Sequence, residues 1–157
     1  MRPGPVLALA LVAAGCGYSV AAGAGRLPAG AERVYVATFA NRTTDAEAGA
    51  LVAGALRDEL ARRGSSGGSG SAARIEGTVT QVAWIPTTPD GGTWRLTLEV
   101  QARLLVEGKV ASEQAVRREQ DYLSEVDALA TEGRRRLAVR QASVAAAREI
   151  VERFEVP

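Results

Sequence analysis

The side chains available for chemistry in this sequence are few, and most of them are charged. The chain has no histidine and a single cysteine, so the usual zinc ligands, the usual general base near neutral pH and an internal disulfide are excluded. Two carboxylate pairs, Asp58 with Glu59 and Glu149 with Glu152, stand beside arginines at surface positions of predicted helices, where nothing indicates a raised pKa. We therefore predict that the protein is not an enzyme and holds no metal or cofactor.

The single cysteine, Cys16, follows a sequence that is typical of an export signal. Met1-Arg2 gives a positive start, Val6 to Ala14 form a continuous apolar run, and small residues precede the cysteine. The run is too short to cross a bilayer as a helix, because spanning takes ~20 apolar residues. We predict that residues 1–15 are a signal peptide that is removed.

The segment Ala13-Ala14-Gly15-Cys16 resembles the bacterial lipobox. That resemblance implies cleavage before Cys16 and attachment of lipid to its thiol, which would hold the protein on a membrane. Gly17 follows where related lipoproteins that stay in the inner membrane often have Asp, so the resemblance points to the outer membrane, at its periplasmic face. The alternative is an ordinary secretory signal with an incidental cysteine near its end.

Arginines supply the remaining candidates for binding. Arg134-Arg135-Arg136, with Arg140, could bind phosphates or an acidic surface, because a guanidinium group pairs with phosphate through two donors. A solvated helix face is the alternative, since Glu132 lies four residues before the last arginine of the run. Arg95 and Arg103 fall on the polar side of an alternating strand, which could face a partner, a ligand or only solvent. The candidate ligand-binding residues are Arg95, Arg134 and Arg135.

The elements that position these residues follow a predicted tether. Residues 16–32 are rich in Ala and Gly, which predicts a flexible segment beginning at the lipidated cysteine. We predict one domain over residues 33–157. The formal charge of +1, from 19 basic and 18 acidic residues, argues against nucleic acid as a partner of this domain.

The predicted domain starts with a strand and a helix. Arg33 to Phe39 is dense in branched and aromatic residues and predicts a buried strand, which the turn from Asn41 to Thr44 ends. Ala46 to Arg63 carries apolar residues at helical spacing. Gly64 is predicted to end this helix.

Three strands in antiparallel succession come next. Ala73 to Ile85 changes the side of its apolar residues midway, which predicts a bulge or a twist. Trp94 to Val106 alternates strictly between apolar and polar residues and is the clearest strand of the chain. Gly108-Lys109 predicts a tight hairpin that leads into a more polar strand over Val110 to Asp121.

A long final helix is predicted to close the domain, capped by Ser124 with Asp127 three residues later. Its predicted buried face consists of Val126, Ala130, Gly133, Leu137, Val144, Ala147, Val151 and Phe154. Two amphipathic helices need one apolar wall, which a sheet with one polar face provides. The sequence therefore predicts an α+β fold, a two-layer sandwich in which a four-stranded, mostly antiparallel sheet has two helices packed on one face.

Several short segments occur in an order that is more specific than any one of them. These segments are Cys16-Gly17-Tyr18, Val34-Tyr35-Val36 through Phe39, Asn41, Thr43, Leu56-Arg57-Asp58-Glu59-Leu60, Gly77, the hairpin around Gly108, Tyr122 and Glu132 before a basic run. Together they resemble the LPS-assembly lipoprotein family, LptE. The resemblance implies a two-helix, four-stranded domain that plugs the outer-membrane barrel LptD and helps to deliver lipopolysaccharide to the cell surface. It also implies lipopolysaccharide binding by basic residues near the turn between the second and third strands and near the start of the last helix. In this sequence the turn, Pro86 to Asp90, contains no basic residue.

The predicted function is therefore that of an outer-membrane lipoprotein that plugs an LptD-like β-barrel and assists its assembly in lipopolysaccharide transport. The expected partners are that barrel, the membrane through the lipid anchor, and lipopolysaccharide itself. The alternative is an outer-membrane lipoprotein that regulates envelope machinery, such as an activator of peptidoglycan synthases, because such activators also begin with a strand, an Asn-Thr turn and a helix.

Overall fold

The computed structural model describes residues 26–156, so the predicted signal peptide and the lipidation of Cys16 lie outside the described residues. Within that range the elements are β1 (Val34–Val36), β2 (Ala40–Asn41), α1 (Ala48–Arg62), β3 (Ala73–Pro86), β4 (Thr93–Val106), β5 (Lys109–Leu123) and α2 (Ala128–Phe154). The sheet has the order β1-β3-β4-β5, and β2 also pairs with β3. Both helices pack against the apolar face of this sheet. The predicted α+β two-layer sandwich is confirmed.

Strand β4 carries the apolar wall of the sheet. Its inward side chains, at every second position, are at most 1% exposed: Leu96, Leu98, Val100, Ala102 and Leu104. β3 and β5 pair antiparallel on either side of β4, and an irregularity between Val79 and Gln81 confirms the predicted bulge. The β4–β5 hairpin turns at Glu107 and Gly108, whose φ angles are 51° and 78°. The predicted hairpin at Gly108 is therefore confirmed, with the positive φ that glycine supplies readily.

The predicted strand over Arg33–Phe39 is wrong in its extent, because two short strands replace it. Both pair in parallel with β3. Val34 and Val36 are buried, so strict alternation would place Thr38 inside and Phe39 outside. The irregular backbone after β1 reverses that phase, and Phe39 is only 3% exposed. Burial of the Phe39 ring thus determines where the regular pairing with β3 is interrupted.

The ends of the two helices differ in how well the sequence predicts them. Gly64, with φ of 71°, follows α1 as predicted. The predicted cap of α2 at Ser124 is wrong, because the Asp127 side chain accepts the backbone N–H of Leu129 at 3.0 Å. Ser124 instead donates its backbone N–H to the Gly92 carbonyl at 2.9 Å, which holds it in the preceding loop. Neither helix of residues 26–156 is long and apolar enough to span a membrane.

The buried face of α2 differs from the predicted one over its first half. Val126, Leu137 and Val144 are exposed, whereas the buried positions are Ala138, Val139, Ala142, Ser143, Ala146, Ala147, Ile150, Val151 and Phe154. Alanines let the helix approach the sheet closely, so the larger side chains are not needed inside. The predicted Ala147, Val151 and Phe154 are buried. The other predicted members, Ala130 and Gly133, face solvent.

The described chain is packed from its first residues. The Val156 N–H donates to the Arg26 carbonyl at 2.9 Å in an isolated antiparallel bridge, and Ala31 is completely buried. Leu27 packs against the core. The part of the predicted tether that follows Arg26 therefore lies against the domain, ahead of the predicted start at residue 33.

A charged cluster joins the C-terminal ends of the two helices. Arg63 pairs with Glu59 at 2.7 Å, with Glu152 at 3.6 Å, and with Glu155. Burial alone would raise the pKa of Glu59, but hydrogen bonds and positive charge from Arg62 and Arg63 outweigh burial and lower that pKa below its ordinary value. Glu59 is thus held as a carboxylate against α1, and Arg63 ties α1 to α2.

The outer edge of β5 pairs with no strand among residues 26–156. Arg153 of α2 covers part of this edge, since its Nη1 donates to the Ala115 carbonyl at 2.9 Å. Glu149 on the same helix pairs with Arg153 and with Arg118 of β5. The middle of the edge strand is therefore occupied by a side chain of the helix.

We expect Gly77→Ala to destabilise the fold, because Gly77 lies directly beneath Phe39. A Cβ at position 77 would lie 2.5 Å from Cε1 of Phe39 and would also meet the Gln101 carbonyl. Overpacking of this kind costs about 1–3 kcal/mol of the free energy of unfolding, which urea denaturation would measure. The matched control is Gly54→Ala inside α1, where a Cβ meets nothing within 4 Å. That control should gain about 0.5–1 kcal/mol, and equal effects at the two sites would contradict the packing argument.

Candidate functional site

The polar face of the sheet is left uncovered by both helices of the described chain. Arg95 lies on this face near the start of β4, directly across from Asp121 of β5. Its Nε and Nη2 donate to the two carboxylate oxygens of Asp121 at 2.8 and 3.0 Å, and Glu119 lies 3.7 Å away. The hydrogen bond from Arg95 lowers the pKa of Asp121, so the pair stays charged. Arg95 is therefore already engaged by a two-donor contact on the open face.

The same pairing of opposite charges continues along the open face. The further pairs across or along its strands are Arg117 with Glu119 at 3.0 Å, Arg117 with Glu99 at 3.5 Å, Arg103 with Glu113 at 3.2 Å and Arg74 with Glu76 at 3.3 Å. Each pair is half-exposed and worth little stability by itself. Together the pairs make a polar face whose charges compensate one another.

The predicted binding residue Arg135 is held by contacts from its own helix and from two other segments. Its guanidinium lies 4.8 Å from the centre of the Trp84 ring, a cation–π contact, and its Nε donates to Glu132 at 2.7 Å. Asp45, in the loop before α1, lies 3.8 Å from it. Trp84 meets Tyr122 edge-on, with 5.9 Å between ring centres. Arg135 thus joins the start of α2 to the sheet and to the loop before α1.

The surroundings of Arg135 keep Glu132 charged and Tyr122 neutral. Hydrogen bonds from Arg135 and Arg136 lower the pKa of Glu132 to about 2. Burial raises the pKa of Tyr122 above its ordinary value, which keeps the phenol neutral. The sequence alone did not indicate Trp84 and Asp45 as partners of Arg135. Only the helical spacing of Glu132, three residues before Arg135, could have indicated a partner of Arg135.

Arg134 faces a different direction from Arg135. It pairs with Glu125 in the loop before α2, and it lines a groove of about 270 Å³ together with Asp121 and Leu123. Arg140, six residues further along α2, makes no ion pair within residues 26–156. Of the three predicted binding residues, Arg134 is therefore the one whose side chain lines this groove.

The structure brings the three predicted binding residues to one end of the sheet but not to one pocket. Arg95 lies on the open face, Arg134 at the edge of β5, and Arg135 beneath α2 against Trp84. Each already pairs with a carboxylate. Any phosphate bound by them must therefore replace a carboxylate, which weakens the attraction relative to that of a free arginine.

The carboxylate pairs that the sequence raised as acid–base candidates bind arginines. Glu59 accepts from Arg62 and Arg63, and Glu149 pairs with Arg118 and Arg153. Within the described range, no three acidic, cysteine or histidine side chains are close enough to hold a metal ion. Glu59 and Glu149 are thus engaged in ion pairs within the fold.

One family model matches most of the chain: the family described as LptE: Lipopolysaccharide-assembly, over residues 31–154. The match covers every strand and helix of the structure. Among curated protein sequences, none is significantly similar to this one.

Solved structures with the same fold come from several bacteria. A protein of Caulobacter crescentus described as a lipoprotein is 20% identical, with a TM-score of 0.61 and coverage of 80% of this chain and 89% of its own. The PelC dodecamer of Paraburkholderia phytofirmans is 15% identical, with a TM-score of 0.59 and coverage of 84% and 95%. A minor lipoprotein of Acinetobacter baumannii is 12% identical, with a TM-score of 0.56 and coverage of 81% and 92%. At such identities the likeness establishes a shared fold alone.

We expect Arg135→Lys to lower the free energy of unfolding by about 1–2 kcal/mol, because lysine replaces neither the two-donor grip on Glu132 nor the flat contact with Trp84. Urea denaturation followed by tryptophan fluorescence would measure it. Arg136→Lys is the matched control, since Arg136 also donates to Glu132 but projects into solvent, and it should change stability by less than about 0.5 kcal/mol. A loss of the same size in both variants would show that Arg135 is an ordinary surface arginine.

Proposed function

Because the chain belongs to the lipopolysaccharide-assembly family LptE, we propose that it plugs an LptD-like β-barrel of the outer membrane and assists the assembly of that barrel. In this proposal Cys16 carries the lipid that holds the protein at the periplasmic face of the outer membrane. The protein acts by contact and not by turnover, as a component of lipopolysaccharide transport to the cell surface.

The observation that carries this proposal is the open face of the sheet. Three long strands present a broad polar surface on which Arg95, Arg103 and Arg117 are each compensated by a carboxylate. The interior of a large outer-membrane barrel is commonly polar, so a plug needs polar side chains toward the wall. A surface with balanced charges can enter such an interior without bringing an unpaired charge with it.

Direct contact with lipopolysaccharide is a second part of the proposal. Arg95, Arg134 and Arg135 stand at the same end of the sheet, and guanidinium groups suit lipid phosphates. Arg134 is the best placed of the three, because its only ion-pair partner in the described chain is the exposed Glu125. Arg135 acts as a positioning residue that fixes the start of α2 and so the direction of Arg134.

We expect Gln101→Trp to reduce recovery of the barrel partner about tenfold, because a bulky ring at the centre of the open face disrupts shape complementarity at a buried interface. The measurement is a pull-down of the detergent-solubilised protein, with the large β-barrel quantified by mass spectrometry. The control is Ala145→Trp, which places the same ring at an exposed position on the opposite layer, in α2. Circular dichroism would show that both variants are folded.

Two outcomes of that pull-down would contradict the proposal. Equal recovery from both variants would mean that the open face does not meet the barrel. Recovery of a periplasmic synthase in place of any barrel would favour the alternative of a peptidoglycan synthase activator. Depletion separates the same two functions in cells, because loss of surface lipopolysaccharide supports the plug and loss of synthase activity supports the activator.

We expect the mature protein to begin at Cys16 and to carry acyl chains on it. Mass spectrometry of the N-terminal peptide would show residues 1–15 removed and a mass increase that corresponds to two or three fatty acids. In Cys16→Ser the protein should leave the membrane fraction, because each buried methylene that is lost removes ~0.8 kcal/mol of membrane affinity. An unmodified cysteine or a retained leader would rule out the anchor.

A further inference from the structure

The outward side of α2 carries apolar and basic side chains at helical spacing. Six exposed residues, three or four apart or adjacent, lie along one face of the helix: Leu137, Arg140, Gln141, Val144, Ala145 and Arg148. They line two grooves of about 270 and 450 Å³, which meet at Gln141. From end to end this face extends about 16 Å along the helix axis. We call these six residues the outer strip.

The outer strip leaves two large aliphatic side chains in solvent. Leu137 is 51% exposed and Val144 is 46% exposed. Within the described chain, α1 and β5 pack against the other sides of α2 and cover neither of them. Because Val144 and Ala145 lie together in one groove, these side chains form a patch and are not scattered singly. An exposed apolar patch of this kind marks an interaction surface.

The positive charge of the outer strip is not fully compensated. No acidic residue occurs in the strip's segment of the sequence, residues 137–148. Arg148 donates to Glu152 at 3.0 Å, but Arg140 makes no ion pair within residues 26–156. Glu149 is turned to β5, where it pairs with an arginine of that strand. The strip thus differs from the open face of the sheet, where carboxylates engage the arginines.

We propose that the outer strip lies on the headgroup region of an anionic phospholipid bilayer. In that position the guanidinium groups of Arg140 and Arg148 meet lipid phosphates, and Leu137 and Val144 reach the boundary of the acyl chains. The inference rests on the proposed lipid anchor at Cys16, which brings the domain to a membrane. It does not rest on the plug, because the strip and the open face lie on opposite layers of the sandwich.

Two other occupants fit the outer strip less well. A second copy packed through the same strip would bring Arg140 and Arg148 near their counterparts, with no carboxylate in the strip to offset the repulsion. A protein partner is usually held by aromatic or other large anchors at the centre of the interface, and the strip has no aromatic side chain. A bilayer requires no matching shape, and it offers phosphates and acyl chains side by side.

Docking of the outer strip would orient the domain as well as hold it. With the strip on the lipid, the axis of α2 runs parallel to the membrane. The open face of the sheet, on the other layer, then points away from the membrane. An anchored protein without its barrel would in this way keep its polar face accessible to a partner.

The first experiment measures access to the outer strip in mature protein reconstituted into vesicles of phosphatidylglycerol and phosphatidylcholine. A nitroxide label is attached to Gln141→Cys, and its collisions with a water-soluble nickel chelate are measured by EPR. The matched control is Gln101→Cys, because Gln101 is also an exposed glutamine but lies on the open face. We expect the label at position 141 to collide with nickel several times less often than the label at position 101. In vesicles of phosphatidylcholine alone this protection should largely disappear.

Charge reversal tests the part played by Arg140. Arg140→Glu should lower the ratio of protected to unprotected label at position 141 about fivefold, because each arginine near an anionic surface adds an attraction of this size. The matched control is Arg42→Glu, which should leave the ratio unchanged. Arg42 is also exposed and makes no ion pair within residues 26–156, but it lines a groove on the open face. Circular dichroism would show that both variants are folded.

Several outcomes would overturn the proposal. These are equal nickel access at positions 141 and 101, equal protection on neutral and anionic vesicles, and equal effects of the two charge reversals. Magnetic broadening between labels on different molecules would show that a second copy covers the strip. Protection that requires added envelope proteins would show a protein partner.

Flotation of the vesicles separates this inference from the other proposals. A protein that floats with the vesicles but leaves position 141 unprotected would contradict the outer strip alone. A protein that does not float would contradict both the anchor and the strip. The vesicles contain no barrel, so neither result bears on the plug.

Discussion

Burial of a single face of the sheet is the constraint on which the rest of the structure depends. Alternate side chains of β4 are fully buried, and the residues between them are mostly polar. Such a sheet can accept helices on one face only, so α1 and α2 share that face and contact each other. The other face must then remain polar, and its arginines and carboxylates pair because nothing else in the described chain covers them.

Much of this architecture follows from residue periodicity, and the exceptions have identifiable causes. The alternation in β4, the glycine turn at Gly108 and the end of α1 at Gly64 are local signals, and all three predictions are confirmed. The buried face of α2 was predicted poorly because alanine differs little between inside and outside. The split of the first strand depends on the contact of Phe39 with Gly77, a residue far along the chain, so no local pattern could reveal it.

Long-range contacts also limited the prediction of the candidate site, in this case contacts between charged side chains. The sequence identified Arg95, Arg134 and Arg135 as able to bind an anion, but it could not show that carboxylates already engage them. The partners Asp121 and Asp45 are distant in sequence and reach these arginines only through the β4–β5 pairing and the packing of α2. Glu132, three residues before Arg135, was the partner that helical spacing could indicate. The residue types thus indicate that these arginines could bind an anion. The tertiary structure determines whether their guanidinium groups are free to do so.

The contact of Arg153 with the Ala115 carbonyl has a consequence for how the molecule meets other sheets. A long unprotected edge strand has unpaired backbone N–H and C=O groups, to which a strand of a neighbouring chain can hydrogen-bond. Such pairing leads to fibrils or joins the sheet to an adjoining one. Here the edge is interrupted near its midpoint by a positively charged side chain from α2. An incoming strand could therefore join over only a short stretch on either side of that obstruction. The interrupted edge in this way protects copies of the described domain from polymerising through β5.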